Sequence, residues 1–361
     1  MPARIRTPMK ILIHQPEVLV PVTRRLTPVC GIALALCLAL SILPGKARGA
    51  AITPFYTQNQ SPVALIFGLP AAGDAQILAK GEFGGILALD IANNFVEDSN
   101  SREQILLDGE SYRANLGISY GIARGVEGGI DIPYVGIGGG IFDSFIIGWH
   151  RFFGLPQGGR PEAPKNRLLY AYTKDGQTRL LLNDSGSGLG DIRLSGGVRL
   201  YDDEQPNPRQ VALRASVKLP TGSSSNLRGS GSTDFALWLT AADDYRLPAL
   251  GHVTLFGAAG GMAMTDGDVL REQQRNFAGY GTLGLGWGPA RWIDFKAQVS
   301  GHTQFFKGSE LRELSNPALQ LIVGGTLHFS DKTSLDIGVS EDIARDTSPD
   351  IALHLALRKR F

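Results

Sequence analysis

From Ile77 onward the chain alternates. Ile77, Ala79, Phe83, Leu87, Leu89, Ile91 and Phe95 share one parity, and Lys80, Glu82, Asp90 and Asn94 share the other. A period of two puts the two sets on opposite faces of a strand. The pattern recurs along the chain. Tyr112, Ala114, Leu116, Ile118 and Tyr120 oppose Arg113, Asn115 and Ser119. Val211, Leu213, Ala215 and Val217 oppose Arg214, Ser216 and Lys218. Ile293, Phe295, Ala297 and Val299 oppose Asp294, Lys296, Gln298, Ser300 and His302. Strands are expected near 77–95, 110–123, 126–135, 190–201, 210–220, 233–243, 251–264, 276–288, 291–304, 317–329, 333–342 and 350–361.

A soluble sandwich and a membrane barrel both alternate in this way. Four features point to the barrel. The segments are longer than the ~5–6 residues usual in soluble sheets and match the ~9–11 of a tilted membrane strand. Connections alternate short ("ARG" at 123–125, "PAR" at 289–291, "SDK" at 330–332) and long, the habit of outer-membrane barrels. Apolar-parity aromatics gather at strand ends as two girdles, Phe95, Tyr112, Phe235 and Phe277 at one and Phe83, Trp287, Phe295, Phe329 and Phe361 at the other. The chain closes on "LHLALRKRF", whose terminal Phe361 resembles the signal by which such barrels are recognised for assembly. The fold class expected is therefore an all-β, antiparallel up-and-down transmembrane barrel of about twelve strands. Leu168–Leu182 is a ribbon around Asp175-Gly176. If both its arms span, the count becomes fourteen.

Two stretches break the alternation. In Ile141–Phe153, Phe142, Phe145, Ile146, Trp149, Phe152 and Phe153 fall at helical spacing. This predicts an amphipathic helix in the long outer loop, 136–189, with the ribbon 168–182. Phe142, Phe145, Trp149 and Phe153 are its candidate gate or lid residues. Resting on the rim against the outer leaflet and packing on the loop itself are the other uses. Residues 51–76 carry Pro54, Pro62 and Pro70, too many for a strand interior, and are expected to plug the lumen from below or to strap the barrel base. The barrel itself is assigned to 77–361.

Residues 1–50 read as a signal peptide: basic residues, the apolar run Val29–Leu43, then small residues at Ala47, Gly49, Ala50 and Ala51. The run is shorter than the ~20 residues of a membrane-spanning helix. An outer-membrane location is implied, with outer-membrane lipids and the barrel assembly machinery as partners. Both cysteines, Cys30 and Cys37, fall in this segment, so the chain beyond residue 50 can form neither a disulfide nor a thiolate site. Beyond residue 50 there are 28 Lys and Arg (35 less seven) against 33 Asp and Glu (34 less one). That balance gives no basic footprint for nucleic acid.

The polar parity supplies the candidate lumen lining: Arg113, Asn115, Glu127, Asp131, Arg193, Arg199, Arg214, Lys218, Trp238, Asp294, Lys296, Gln298, His328 and His354. The signs are mixed, whereas ion selectivity needs an excess of one sign at a constriction. Ser300 and His302 are the best pair for nucleophilic catalysis, but no acid is fixed beside them by spacing, and ordinary lumen polarity explains both. No histidines stand at a metal-ligand spacing, and "GIGGGIF" and "GLGWG" do not open a helix in a βαβ unit. Neither metal nor cofactor is expected.

"NQSPVALIFGLP" (59–70) and "GGGIFDSFIIGWHRFFGLPQGGRP" (138–161) resemble an uncharacterised proteobacterial family of predicted outer-membrane barrels, a likeness that implies a location and no activity. "GLGDIRL" (188–194) and "KLPTGSSS" with "GSGSTDFAL" (218–237) are similar to outer-membrane channels of aromatic-degradation operons, which implies passage of hydrophobic compounds. The expected function is a passive channel for small hydrophobic or amphipathic molecules. An outer-membrane lipid hydrolase and a structural barrel with a closed lumen are the alternatives.

Overall fold

The computed structural model describes residues 51–154, 162–203, 207–343 and 347–361, without the side chains of Ile146, Trp149, His150 and Phe153. The expected signal segment, 1–50, lies outside the described residues. The strands, in chain order, are β1 (Phe83–Ser99), β2 (Glu103–Ala123), β3 (Val126–Gly138), β4 (Leu169–Lys174), β5 (Gln177–Leu182), β6 (Gly186–Leu189), β7 (Arg193–Asp203), β8 (Arg209–Lys218), β9 (Asp234–Leu247), β10 (Gly251–Met264), β11 (Phe277–Ala290), β12 (Ile293–His302), β13 (Ala318–Ser330), β14 (Thr333–Asp342) and β15 (Ile351–Arg360). The helix α1 spans Asp143–Phe153.

Strands β4, β5 and β6 stand outside the ring; the other twelve close it, each antiparallel to its neighbours. Closure is made by β1 on β15, in register from Gly84 opposite Arg360 to Asn93 opposite Ile351. The Phe361 N–H donates to the Phe83 carbonyl at 2.9 Å and finishes the seam. Closing the ring leaves no strand edge within it, which is what a lipid solvent demands of strands. Turns at 124–125, 248–250, 291–292 and 331–332 mark one end, and the turn 100–102, the loops 219–233, 265–276 and 303–317, and the described residues after β3 and β14 mark the other. By the barrel rule the short turns are periplasmic and the long loops external.

Alternation becomes two faces. Along β9, Phe235, Leu237 and Leu239 are exposed outward, while Ala236, Trp238 and Thr240 are buried inward. Phe83, Trp287, Phe295, Phe329 and Phe361 form the exposed aromatic ring at the short-turn end, with Trp287 and Phe295 stacked at 5.8 Å. Phe235 and Phe277 are exposed at the other end, but Phe95 is covered. Leu355 faces outward between these rings, whereas Ser195 faces inward beside a cavity. Leu355→Arg is therefore expected to cost roughly 2–4 kcal/mol by placing a charge in lipid, and Ser195→Arg far less. Heat-modifiable gel mobility of the two variants checks this; equal folded fractions would reverse the assignment of faces.

The structure moves several boundaries. The first strand begins at Phe83, not Ile77, because 77–82 belongs to the segment arriving from inside the barrel. Gly81, at φ +86°, turns that segment, and its N–H donates to the Gly121 carbonyl at 2.8 Å. A left-handed φ of this kind favours glycine. Strand β2 is longer than its alternation suggested. Its Glu103–Asp108 stretch leaves β3 and pairs with β4, so the ribbon β4–β5 extends the wall beyond the ring and does not enter it. The helix starts at Asp143, since the Ile141 and Phe142 N–H groups donate to Glu110 Oε1 instead of opening a helical turn.

Candidate functional site: a threaded lumen

The lumen is occupied by the chain's own N-terminal segment. Ile52 lies at the periplasmic end, where its N–H donates to Thr254 Oγ1 at 3.1 Å. The Phe55 N–H meets Gln298 Oε1 at 2.9 Å, further up the wall. Asn59 and Ser61 reach the external loops, donating to the Thr347 carbonyl (3.0 Å) and to Glu313 (2.9 Å). There the chain reverses. Ser61 N–H donates to Asn59 Oδ1, and Ala64 and Leu65 N–H groups return to the Ser61 carbonyl, a side-chain-assisted turn with Pro62 preset inside it. The descending limb passes Asp234 and Trp238, then Arg214, and leaves at Leu78, whose N–H donates to Glu127 at 2.8 Å. Residues 51–78 thus make a hairpin without strand pairing, both of its ends periplasmic.

An irregular buried backbone must find its hydrogen bonds elsewhere. Here the wall supplies them. Cations and an indole take the carbonyls: Lys296 on Thr53, Arg358 on Pro54, Lys218 on Ile66, Arg193 on Leu69, Trp238 on Ala72 and Arg214 on Asp74. Wall acceptors take the N–H groups of Ile52, Phe55, Gly68 and Leu78. Glycine makes room. A Cβ on Gly286 would sit 2.5 Å from Ile52, and one on Gly338 would sit 3.1 Å from Phe55. The mixed charge of the lumen side chains is therefore the chemistry of a socket.

The expected lining residues sort accordingly. Asn115 donates to Asp131 (3.2 Å), and Asp131 also accepts the Tyr56 hydroxyl of the hairpin. Arg113 lies buried beside Asn115. His354 donates through Nδ1 to Asp90, which also accepts from Thr57, and its ring meets Phe55 edge-on. Lys296 and Asp336, both fully buried, pair at 2.9 Å under Phe55. Glu127 pairs with Arg214, and Asp294 with His328, near the periplasmic end. Arg199 is apart from the hairpin, paired with Asp202. Lys218 gathers Asp191 (2.6 Å) and Asp234 (3.3 Å) at the hairpin tip. Asp191 shares the parity of Arg193 in the expected strand 190–201, but 190–192 is irregular chain between β6 and β7, and alternation alone does not point to a partner for it.

An apolar cluster lies beside these charges in the external half. Phe67 at the hairpin tip stacks on Phe305 (4.5 Å) and touches Phe306. Around them Ile105, Leu107, Tyr170, Tyr172, Leu227, Leu311 and Leu314 are all buried, and the cluster continues inward through Met262, Met264 and Trp238. Tyr172 donates to Glu103 and accepts from Gln273; burial, aided by Glu103, raises its pKa and keeps the hydroxyl protonated. At the periplasmic end the lumen widens into a cavity of about 220 Å³ bordered by Tyr56, Asp74, Glu127, Asp131, Arg214 and Arg358. That is below the ~300 Å³ at which pockets for drug-sized ligands begin.

Ser300 and His302 face the lumen without bonding to each other. Ser300 exchanges bonds with Thr282 and Gln298. His302 Nδ1 donates to the Thr303 carbonyl, which leaves Nε2 to accept the Asn59 amide at 3.0 Å. Both ring nitrogens are committed to structure, so no base is poised on the serine. The helix α1 is likewise not what fills the lumen. Phe145 and Phe152 are 49% and 82% exposed, and Phe142 is only partly buried; the Trp149 and Phe153 side chains lie outside the described residues. Closure comes from the N-terminal hairpin and the loops.

A family model described as "Protein of unknown function (DUF3187)" matches residues 32–361. The chain belongs to this family. No curated protein matches its sequence significantly. Among solved structures it is similar to the COG4313 outer membrane channel from Pseudomonas putida F1, with 13% identity, a TM-score of 0.51 and coverage of 80% of this chain and 98% of that one. It is also similar to the CymD monoaromatic hydrocarbon channel (12%, TM-score 0.34, 87% and 95% covered) and to the Pseudomonas putida toluene transporter TodX (11%, 0.30, 88% and 98%). The last two superpose too loosely to add to the argument. At this identity the first supports the fold, that of a bacterial outer-membrane barrel.

Proposed function

We propose that this protein is an outer-membrane channel for small hydrophobic or amphipathic molecules, opened by movement of its N-terminal hairpin. One observation carries the reading: the lumen is closed by a segment that shares no strand pairing with the wall and enters and leaves on the same side. Such a segment can shift without breaking the ladder that holds the barrel. The apolar external cluster above a polar periplasmic cavity suits a solute with an apolar body and a polar end. That the COG4313 protein is itself an outer membrane channel agrees with this.

The filled lumen also favours a second reading, a structural barrel that never opens. Uptake separates the two. Liposomes carrying the full chain are expected to take up benzoate faster than protein-free liposomes, and glucose no faster. Uptake of neither would leave the structural barrel; equal uptake of both would mean an unselective pore.

A further inference from the structure

The outward face of β1 and β2 changes character along its length. On the periplasmic side its outward residues are apolar: Leu87, Leu89 and Ile91 on β1, and Leu116, Ala114 and Tyr112 on β2. One step further the same parity carries Asn93, then Glu110 and Asp108, all at most 3% exposed. These groups are covered rather than facing lipid, so the lipid-facing band of this wall ends at this edge. The loop after β3 folds over that edge, outside the barrel. Glu110 accepts the N–H groups of Ile141 (3.1 Å) and Phe142 (2.6 Å). Asn93 donates to Asp143 at 2.9 Å, Asp143 also accepts the Asn166 N–H, and Arg167 pairs with Asp108. The first turn of α1 is thereby fixed to the outer wall at the level where lipid ends.

Among the described residues, the large apolar side chains here are exposed. Ile141, two residues before α1, is 76% exposed, and Phe145 and Phe152 on α1, seven residues apart and so on one helical face, are exposed as well. Arg151 on α1 and Lys165, which donates to Ser144 at 3.2 Å, are exposed, giving a cationic border to an aromatic face, the composition of a helix that lies in a membrane interface. We infer that α1 is an interfacial anchor, seated among the outer-leaflet lipids at the boundary between headgroups and acyl chains. Its continuity with the lipid-facing band of β1 and β2 selects lipid as the occupant.

The test uses the full chain with Cys30 and Cys37 replaced by Ser. A single cysteine at Phe152→Cys carries an environment-sensitive fluorophore, in vesicles whose phospholipids bear a nitroxide either near the headgroup or near the chain end. The headgroup-proximal nitroxide should quench this label several-fold more than the chain-end one. A label at Gln177→Cys, at the exposed tip of the β4–β5 ribbon, should be quenched by neither, and one at Leu355→Cys by both. A label at Phe145→Cys repeats the measurement should the first variant fail to regain its folded gel mobility. Labels at 152 and 145 as unquenched as that at 177 would overturn the anchor. So would protection by cross-linking to a second copy without quenching, which would make the face a protein contact.

Discussion

Asp336→Leu is expected to destabilise the barrel by about 3–5 kcal/mol, the loss typical of breaking a buried ion pair from one side. Asp336 is completely buried and accepts from Lys296 (2.9 Å), Arg358 (3.2 Å) and Thr326 (2.7 Å). Its removal leaves the Lys296 ammonium, itself fully buried, without a counter-ion, held by the Thr53 carbonyl at 3.1 Å and the Phe55 ring. Arg358 keeps Asp74. Lys296→Met should be milder, since Asp336 retains Arg358 and Thr326. The double variant Lys296→Met/Asp336→Leu should recover most of the loss, because it leaves no orphaned charge and places two apolar side chains against Phe55. Urea unfolding in vesicles, followed by gel mobility and intrinsic fluorescence, gives all three values. A double variant worse than the sum of the singles would show that the pair itself, not the stranded charge, holds this layer together.

The wall was legible because its physics is local. A period of two, short turns against long loops, and aromatics at strand ends each require only neighbouring residues, and β14 occupies its expected span, 333–342. Boundaries failed where the chain obeys a distant partner. Ile77 and Ala79 continue the parity of β1, yet 77–82 is held by Glu127 and Gly121 from β3 and β2. The lumen side chains were found by parity; their use was not. Nothing in the spacing of Lys296, Arg358, Lys218, Arg193 and Arg214 says that each donates to a carbonyl of one remote segment, up to 304 positions away. The prolines of that segment excluded a strand without choosing between strap and plug. The helix misled in the opposite sense. Its greasy face at 141–153 invites burial, whereas in the described residues the apolar volume at the mouth is filled by Phe67, Phe305, Phe306 and the ribbon.

Deleting residues 52–76 has the largest expected functional effect. The ring of twelve strands keeps every ladder bond, because the hairpin contributes none. The socket cations and carboxylates would be left facing a water-filled bore, where hydration replaces the lost carbonyls, so the deletion variant should still run as a folded, heat-modifiable species. A twelve-stranded ring lies between the eight strands whose side chains fill the interior and the 16–18 that leave an aqueous channel. Its bore should therefore conduct once empty. The decisive measurement is single-channel current of the full chain and of the 52–76 deletion in the same planar bilayer. A near-silent full chain with brief openings is expected, and a steadily open deletion variant carrying at least about tenfold more time-averaged current, the ratio set by a ~1.4 kcal/mol or larger bias toward the seated hairpin. Equal currents from the two folded proteins would contradict it, since the hairpin would then not be what closes the barrel.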